Sequence, residues 1–315
     1  MILNSIILNQ QTGADISFHA WCDTMGLAVN PSVQLLTSTR SVAGRGVFAV
    51  DDLDEGDLVA RIPSALVLYP ENAAGCFPKV AQEIESNKMK AGLLEVDDGK
   101  FQWLHKLWQK VVRRKERVVL EHMEKDETWL PELTLYALAA LESGHPWSPW
   151  ISQWNRDDPA YRLFASNAKS YQEDAINGTA IELNSMMPDL PILYLRAALA
   201  IRLGRLDEER RIFDLNDDIE TSSLYSVLSS RVIELDELLV GAIPFHDMIN
   251  HSLDPNVSLE FNGESIELFL NRKVGNGEEL FLRYTDIDEE LNENNALWAL
   301  IQWGIPISRN DYSFL

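Results

Sequence analysis

The chain has 315 residues, of which 27 are Lys or Arg and 49 are Asp or Glu, so its formal net charge is −22 at pH 7. Hydrophobic residues make up 46% of the sequence, a fraction typical of globular proteins that excludes a largely disordered chain. The acidic balance argues against a nucleic-acid binder and against binding to anionic lipid, because both need clustered Lys and Arg. A basic peptide or protein segment is the macromolecular partner that this charge favours.

The cysteine content and the first residues indicate where the protein resides. Cys22 and Cys76 cannot by themselves form a disulfide framework or a four-ligand zinc site, which favours a reducing compartment, cytoplasmic or nuclear, with a plastid also compatible. No Lys or Arg precedes Arg40, so the start of the chain lacks the charged region of a signal peptide. No stretch approaches the roughly 18 uncharged residues of a membrane helix. We therefore expect a soluble protein without a membrane partner.

The chain up to residue 69 is predicted to form one short helix followed by strands. Apolar side chains recur at helical spacing from residue 18 to residue 25, and Gly26 stands where a helix end belongs. An acidic turn at residues 51–56 interrupts the β-prone sequence that follows. The predicted strands cover residues 46–50, 58–62 and 66–69.

The middle of the chain, from about residue 78 to residue 230, has the apolar spacing of helices. Residues 133–142 and 194–213 are amphipathic, and residues 195–201 together with Gly204 resemble one helix of a helical-repeat protein. No second copy recurs at a fixed period, which argues against a solenoid.

Strand patterns return from Val232 onward. Apolar residues alternate in residues 257–261 and 266–270 around Asn262-Gly263, a strong hairpin signal. The remaining predicted elements are a strand and a helix, at residues 279–284 and 293–303. A β-rich shell split by a helical insertion of about 150 residues is an α+β arrangement and not an alternating β-α-β one.

A short polar segment at residues 244–252 places Asp247, Asn250 and two histidines directly before the hairpin. His246 and His251 are five residues apart and share no helical face, so ligand geometry argues against a metal site. A serine hydrolase is excluded because the sequence contains no Gly-x-Ser-x-Gly elbow. A polar loop whose Asn and Asp side chains cap turns is the alternative interpretation.

Two further features carry little information alone. Gly44-Arg45-Gly46 would let the backbone approach a ligand closely, but the same residues also suit a plain turn between strands. Tyr284 ends a predicted strand, where most tyrosines pack against neighbours and keep a wet hydroxyl. Only the combination of these features with the polar segment is specific.

In their order along the chain, these motifs resemble the SET-domain protein methyltransferases. The matching motifs are Gly-Arg-Gly-Val-Phe-Ala from Gly44, Ser-Ser-Arg ending at Arg231, Asp-Met-Ile-Asn-His-Ser from Asp247 and Gly-Glu-Glu-Leu-x-x-x-Tyr ending at Tyr284. The chain resembles the class with a large helical insert, typified by the Rubisco large-subunit lysine methyltransferase and the actin-histidine methyltransferase. The likeness spans residues 18–311 and includes an opening helix before Gly26 and an insert signature around Leu141-Glu142 and Ser148-Pro149-Trp150.

The resemblance implies S-adenosylmethionine as the cofactor and Tyr284 as the catalytic tyrosine. The implied cofactor-binding residues are Gly44, Arg45, Gly46, Glu71, Asn72, Ala73, Arg231, Asp247, Asn250, His251 and Asn295. Arg231 would face the methionine carboxylate, and Asn250 would hold the methionine amino group. The backbone of His251 would meet the adenine ring, and Asp247 would fix its loop.

The sequence departs from the family at two places. Phe245 and Trp303 would line the substrate pocket, but the class often has a tyrosine followed by Gly-Phe where this chain reads Trp303-Gly304-Ile305. The chain ends at Leu315, without the C-terminal substrate-binding domain that members commonly carry. No cysteine cluster follows Tyr284, so no structural zinc is expected.

The predicted architecture is an α+β, β-rich SET fold with a pseudo-knot, split by a long helical insertion. The expected parts are residues 18–74 and 231–315 for the two halves of the SET domain and 75–230 for the insert. The resemblance implies an S-adenosylmethionine-dependent protein N-methyltransferase acting on a non-histone protein, with lysine favoured as the target. A protein-histidine methyltransferase and a non-catalytic SET-like protein-binding module are the alternatives.

Overall fold

The computed structural model describes residues 13–38, 45–93, 129–154, 173–186, 188, 190–215, 219–236, 239–252 and 254–283. Its α-helices are α1 (Gly13–Thr24), α2 (Pro70–Cys76), α3 (Pro78–Leu93), α4 (Trp129–Ser143), α5 (Ser148–Ile151), α6 (Glu173–Met186), α7 (Ile192–Phe213) and α8 (Ile219–Ser229). Short 3₁₀ helices cover Ser64–Leu66 and His246–Met248.

The strands come from the two ends of the chain, and the helices α2 to α8 lie between them in sequence. The strands are β1 (Ala28–Val29), β2 (Val33–Thr37), β3 (Arg45–Ala49), β4 (Leu58–Pro63), β5 (Val232–Asp236), β6 (Leu239–Ala242), β7 (Asn250–His251), β8 (Val257–Phe261), β9 (Ser265–Leu270) and β10 (Glu279–Leu282). This mixture confirms the predicted α+β class, while the predicted domain boundaries stay a prediction.

Two four-stranded sheets join these ends. The strand order is β1-β4-β9-β8 in one sheet and β2-β3-β10-β7 in the other, and β5 pairs with β6 in a separate ribbon. All described pairs are antiparallel except β7 with β10, which are parallel. Each four-stranded sheet therefore contains strands from before and after the helices.

The predicted hairpin is confirmed as β8 and β9. Alternate side chains of β9, such as Ile266 and Leu268, are buried, which is the period-2 pattern of a strand with one face on the core. At the turn, Gly263 takes a φ of +89°, a conformation that favours glycine. The Asn262 side-chain oxygen accepts hydrogen bonds from the backbone N–H groups of Glu264 and Ser265, at 3.0 and 2.8 Å.

The predicted first helix is also confirmed, with its end at the expected glycine. Gly26 has a φ of +75° just after α1, and the Leu27 N–H donates to the Cys22 carbonyl at 2.9 Å. This left-handed residue satisfies carbonyl groups that the helix end would leave unpaired.

One apolar core joins the sheets to the helices. Its buried members come from α1, both four-stranded sheets and the helices between them, and include Phe18, Leu68, Trp150, Phe213 and Leu224. The predicted amphipathic segments 133–142 and 194–213 lie within α4 and α7. In the part of the chain that the structure describes, no helix combines the length and the apolar character needed to cross a membrane.

The predicted strand at residues 66–69 is wrong. A 3₁₀ turn occupies Ser64–Leu66, and Leu68 then forms one isolated bridge to Ala242. The Asn72 side-chain amide donates to the carbonyls of Ala65 and Val67 at 2.8 and 2.9 Å, so a side chain, and not a neighbouring strand, satisfies them.

Strands β1 and β2 were not predicted. β1 has only two residues, and β2 does not alternate cleanly because the adjacent Leu35 and Leu36 are both buried. The predicted closing helix at residues 293–303 lies outside the described residues.

The bridge of Leu68 to β6 generates a prediction for Gly241. A methyl group at Gly241 would lie 2.8 Å from the Leu68 carbonyl oxygen and 3.0 Å from Tyr69 Cβ, atoms that cannot rotate away. We expect Gly241→Ala to lower the free energy of unfolding by about 1–3 kcal/mol, measured by denaturant titration. The control is Gly178→Ala in α6, where nothing lies within 4 Å and a gain of up to about 1 kcal/mol is expected. Equal effects at both positions would contradict the steric argument.

Candidate functional site

Strand β10 positions the candidate site because it pairs with β3 on one edge and with β7 on the other, where Leu282 lies opposite His251. The fully buried Asn256 reinforces this strand. Its side chain donates to the Glu279 carbonyl at 2.9 Å and accepts from the Phe281 N–H at 2.7 Å. The Gly-Arg-Gly motif on β3 and the Asn-His pair on β7 are thereby held on one scaffold.

The Asn250 side chain joins these two motifs directly. Its Nδ2 donates to the Arg45 main-chain carbonyl at 2.9 Å and to Glu279 Oε1 at 2.6 Å. Because both partners are oxygen acceptors, the amide orientation is determined, with the nitrogen facing them. No donor among the described residues is hydrogen-bonded to Oδ1, so the amide oxygen is available as an acceptor.

The position of Gly46 has no room for a side chain. An added Cβ would overlap Glu279 Oε1 and lie 2.8 Å from Asn250 Nδ2. Glu279 is itself buried, and its Oε2 accepts a hydrogen bond from Ser38 Oγ at 3.0 Å. The close contact between β3, Asn250 and the Glu279 carboxylate therefore depends on the missing side chain.

The Asp247 carboxylate is buried in a cluster of donors. Its Oδ2 accepts hydrogen bonds from the indole N–H groups of Trp150 at 3.0 Å and Trp154 at 2.7 Å. Arg231 Nη1 lies 3.4 Å from the same oxygen and also donates to the Asp247 main-chain carbonyl. Burial raises the pKa of the Asp247 carboxyl, whereas the Arg231 charge and the two indole hydrogen bonds lower it.

Arg45 is bound by the same part of the insertion as Asp247. Its guanidinium donates to the main-chain carbonyl of Gln153 and, at 3.4 Å, to the Gln153 side-chain oxygen. Residues 150–154 thus contact both Arg45 and Asp247, two of the residues predicted to form the cofactor site.

Phe245 begins the 3₁₀ turn that carries Asp247, and it adopts an unusual backbone conformation. Its φ is +70°, although it is not glycine, and its side chain is fully buried. Such a conformation costs about 1–3 kcal/mol and persists only where the surroundings enforce it. The role predicted for Phe245 in a substrate pocket stays a prediction.

The segment Glu71, Asn72 and Ala73 lies in the first turns of α2, where Asn72 holds the preceding turn through its amide. No described hydrogen bond links these residues to Arg231 or Asn250. Their predicted contact with a cofactor stays a prediction. Four further residues predicted for the site lie outside the described part of the chain: Gly44, Tyr284, Asn295 and Trp303.

Sequence reasoning did not single out Glu279 or Trp154. Glu279 is part of the Gly-Glu-Glu-Leu motif, and a buried acid within an apolar strand is the signal that could have identified it. Trp154 follows the insert signature without any local pattern, and only the fold reveals its bond to Asp247.

The described residues contain no cluster of three or more His, Cys, Asp or Glu side chains that could hold a metal ion. His246 and His251 are both near Asp247 in sequence, but no described metal-binding arrangement includes them. The groups brought together here are amides, guanidinium groups and carboxylates, which suit an organic ligand with both an ammonium and a carboxylate.

Comparison with known proteins supports the architecture. The family model described as SET domain matches residues 44–285. A solved structure of Rubisco LSMT bound to AdoMet superposes with a TM-score of 0.50 at 13% identity, covering 94% of this chain and 57% of that chain.

The chain is also similar to curated proteins. It is 25% identical over 274 residues to N-lysine methyltransferase setd6 of Salmo salar, covering 85% of this chain and 53% of that protein. It is 22% identical over 300 residues to N-lysine methyltransferase setd6 of Xenopus laevis, covering 86% and 54%. The chain therefore spans about half the length of these relatives.

The buried His246 generates a prediction about pH. Burial lowers the pKa of His246 to about 4, so the fold holds a neutral imidazole, whereas the unfolded chain takes up a proton below its ordinary pKa of 6.5. The stability that this residue contributes is present above pH 6.5 and is lost as the pH falls toward 4. We expect the wild type to lose about 3 kcal/mol relative to His246→Gln over that interval, measured by denaturant titration. A difference that is constant with pH would contradict this origin.

Proposed function

We propose that this chain, which belongs to the SET-domain family, transfers a methyl group from S-adenosylmethionine to a lysine side chain of a protein. Two relatives bear the name N-lysine methyltransferase, and one structural neighbour was solved bound to AdoMet. These names support the assignment of reaction and cofactor, and the arrangement of polar groups in this chain supports it independently.

The orientation of Asn250 is the observation that carries the proposal. Both of its N–H groups are engaged by Arg45 and Glu279, so Oδ1 is the atom available to a ligand. The methionine part of S-adenosylmethionine has an ammonium group, which can only donate hydrogen bonds. The Asn250 amide oxygen can accept a hydrogen bond from this ammonium group. The buried Glu279 carboxylate beside it carries the opposite charge.

Arg231 suits the carboxylate of the same methionine part. One terminal nitrogen is used by Asp247, and the side chain is 13% exposed. Its Nε is buried and has no hydrogen-bond partner among the described residues. A guanidinium with an unused N–H fits a planar carboxylate, and leaving that N–H buried without any partner would be costly.

The other members of the proposed cofactor site rest on the family resemblance. We assign backbone contacts to Gly44, Arg45, Gly46 and His251, and further contacts to Glu71, Asn72, Ala73 and Asn295. Asp247 acts by holding Arg231. The lack of room for a side chain at Gly46 supports the backbone contact assigned to it, because the β3 backbone lies close to the groups around it.

When bound, S-adenosylmethionine supplies an electrophilic methyl group on a sulfonium. The attacking lysine must be neutral, and a pocket lined by Phe245 and Trp303 would favour that form by desolvation. The Tyr284 hydroxyl would orient the lysine nitrogen in line with the methyl group. The lysine ammonium would lose its proton to water before the attack, so that the nitrogen lone pair could form the new bond to the methyl carbon while the sulfur kept the electron pair of the bond that breaks. Positioning is therefore the main contribution of the protein.

Variants of Asn250 and Tyr284 test this assignment. We expect Asn250→Ala to weaken S-adenosylmethionine binding about tenfold or more in calorimetry, because a hydrogen bond to a charged group is lost. Tyr284→Phe should keep that affinity and lower the rate of methyl transfer, measured with labelled cofactor and mass spectrometry of the modified residue. Unchanged turnover in Tyr284→Phe would contradict its catalytic role. Methylation of histidine would contradict the choice of lysine, and binding without transfer to any protein would indicate a non-catalytic module.

The target is proposed to be a lysine within a basic segment. The net charge of −22 supports this choice because an acidic surface raises the association rate of a cationic partner. A reducing compartment is proposed, the cytoplasm or nucleus with a plastid also compatible, because the two cysteines of the sequence cannot form a disulfide framework.

The salt dependence of the reaction tests this charge preference. For a peptide whose target lysine is flanked by Lys and Arg, KM should rise several-fold between about 50 and 200 mM salt, because screening weakens the attraction. A matched peptide with Gln at the flanking positions should show a higher KM with little salt dependence. Equal KM values for the two peptides at low salt would contradict the proposed preference.

A further inference from the structure

We infer that residues 150–154 of the helical insertion position the cofactor site by holding two of its arginines. This segment, called the insertion brace, acts through Trp150, Gln153 and Trp154. The inference rests on the proposed function, because it concerns how the S-adenosylmethionine site is kept in its binding geometry. The brace residues are positioning residues that act through Asp247 and Arg45.

The first contact of the insertion brace is with the Asp247 carboxylate. Trp150 and Trp154 both donate to the single atom Oδ2, at 3.0 and 2.7 Å, and the carboxylate side chain is fully buried. Two fixed donors determine the rotation of the carboxylate and offset part of its desolvation. The same oxygen lies 3.4 Å from Arg231 Nη1, so the indoles determine where the charge that holds Arg231 is placed.

The second contact of the insertion brace is with Arg45. The guanidinium donates to both the main-chain carbonyl and the side-chain oxygen of Gln153. Arg45 begins β3, and its own carbonyl accepts the hydrogen bond that orients Asn250. One short segment thus holds both the residue proposed to bind the methionine carboxylate and the strand that orients the residue proposed to bind the ammonium.

The insertion brace is rigid enough for this role. Trp150 and Trp154 are both buried and meet edge to face, with ring centroids 5.2 Å apart. On its other side Trp150 stacks on Trp21 at 6.3 Å, and the Trp21 indole N–H donates to the Pro146 carbonyl at 2.7 Å. The donors are therefore held by aromatic packing that does not itself depend on a ligand.

The experiment compares Trp154→Phe with Trp147→Phe by calorimetry. Both changes remove an indole N–H from a buried ring near α5, but no described hydrogen bond joins Trp147 to Asp247. The two probes are S-adenosylhomocysteine, which has the amino-acid part, and 5′-methylthioadenosine, which lacks it. Trp154→Phe should raise the Kd of S-adenosylhomocysteine about tenfold and leave that of 5′-methylthioadenosine within about twofold. Trp147→Phe should change neither by more than about twofold.

Turnover provides a second readout. In Trp154→Phe, KM for S-adenosylmethionine should rise while kcat at saturating cofactor stays close to wild type, because the brace does not touch the reacting atoms. If Trp154→Phe fails to fold, Trp150→Phe removes the other indole donor to Asp247, and the same loss confined to S-adenosylhomocysteine is expected, at about threefold.

Two results would overturn the inference. One is an unchanged Kd for S-adenosylhomocysteine in a folded Trp154→Phe or Trp150→Phe variant, and the other is an equal loss for both probes, which would mean a general structural effect. If the wild type binds neither probe, the proposed function fails and the inference fails with it. A wild type that binds both probes, with variants that do the same, refutes the insertion brace alone.

Discussion

The place of β10 between β3 and β7 is the constraint on which the rest of the site depends. Hydrogen bonds along its two edges bring Arg45 and Asn250 into contact although 205 positions separate them in sequence. Because side chains alternate across a strand, a shift of one residue in this register would turn Glu279 away from Asn250. The buried Asn256, bonded to the β10 backbone on two sides, opposes such a shift.

The buried Asp247 carboxylate extends this scaffold to the helices. A buried charge is stable only where donors and opposite charges surround it, and here the donors come from the insertion and the opposite charge from Arg231. The helical insertion is thus part of the site by hydrogen bonding, not only a neighbour of it in sequence. This arrangement suits a reaction in which orientation contributes more than acid–base chemistry.

Local patterns predicted much of the fold, and they failed where distant contacts decide. The end of α1 at Gly26 and the β8–β9 hairpin at Asn262-Gly263 were predicted because the turn conformation is set by the residues themselves. The strand predicted at residues 66–69 was wrong because the Asn72 amide and a bridge to Ala242 take its backbone groups. Trp154 was missed because its bond to Asp247 has no signature in the sequence around it, whereas Glu279 carried a signal, an acid at the start of an apolar strand, that was not used.

By itself, the sequence determined the acidic character of the protein, its α+β class and the family to which its separated motifs belong. These properties depend on composition, on short-range periodicity and on residue types at fixed spacing. Only the tertiary structure decided which face of the Asn250 amide is available and which tryptophans hold Asp247. The reason is physical: a hydrogen bond between residues some 100 to 200 positions apart depends on sheet register and core packing, which no local pattern specifies.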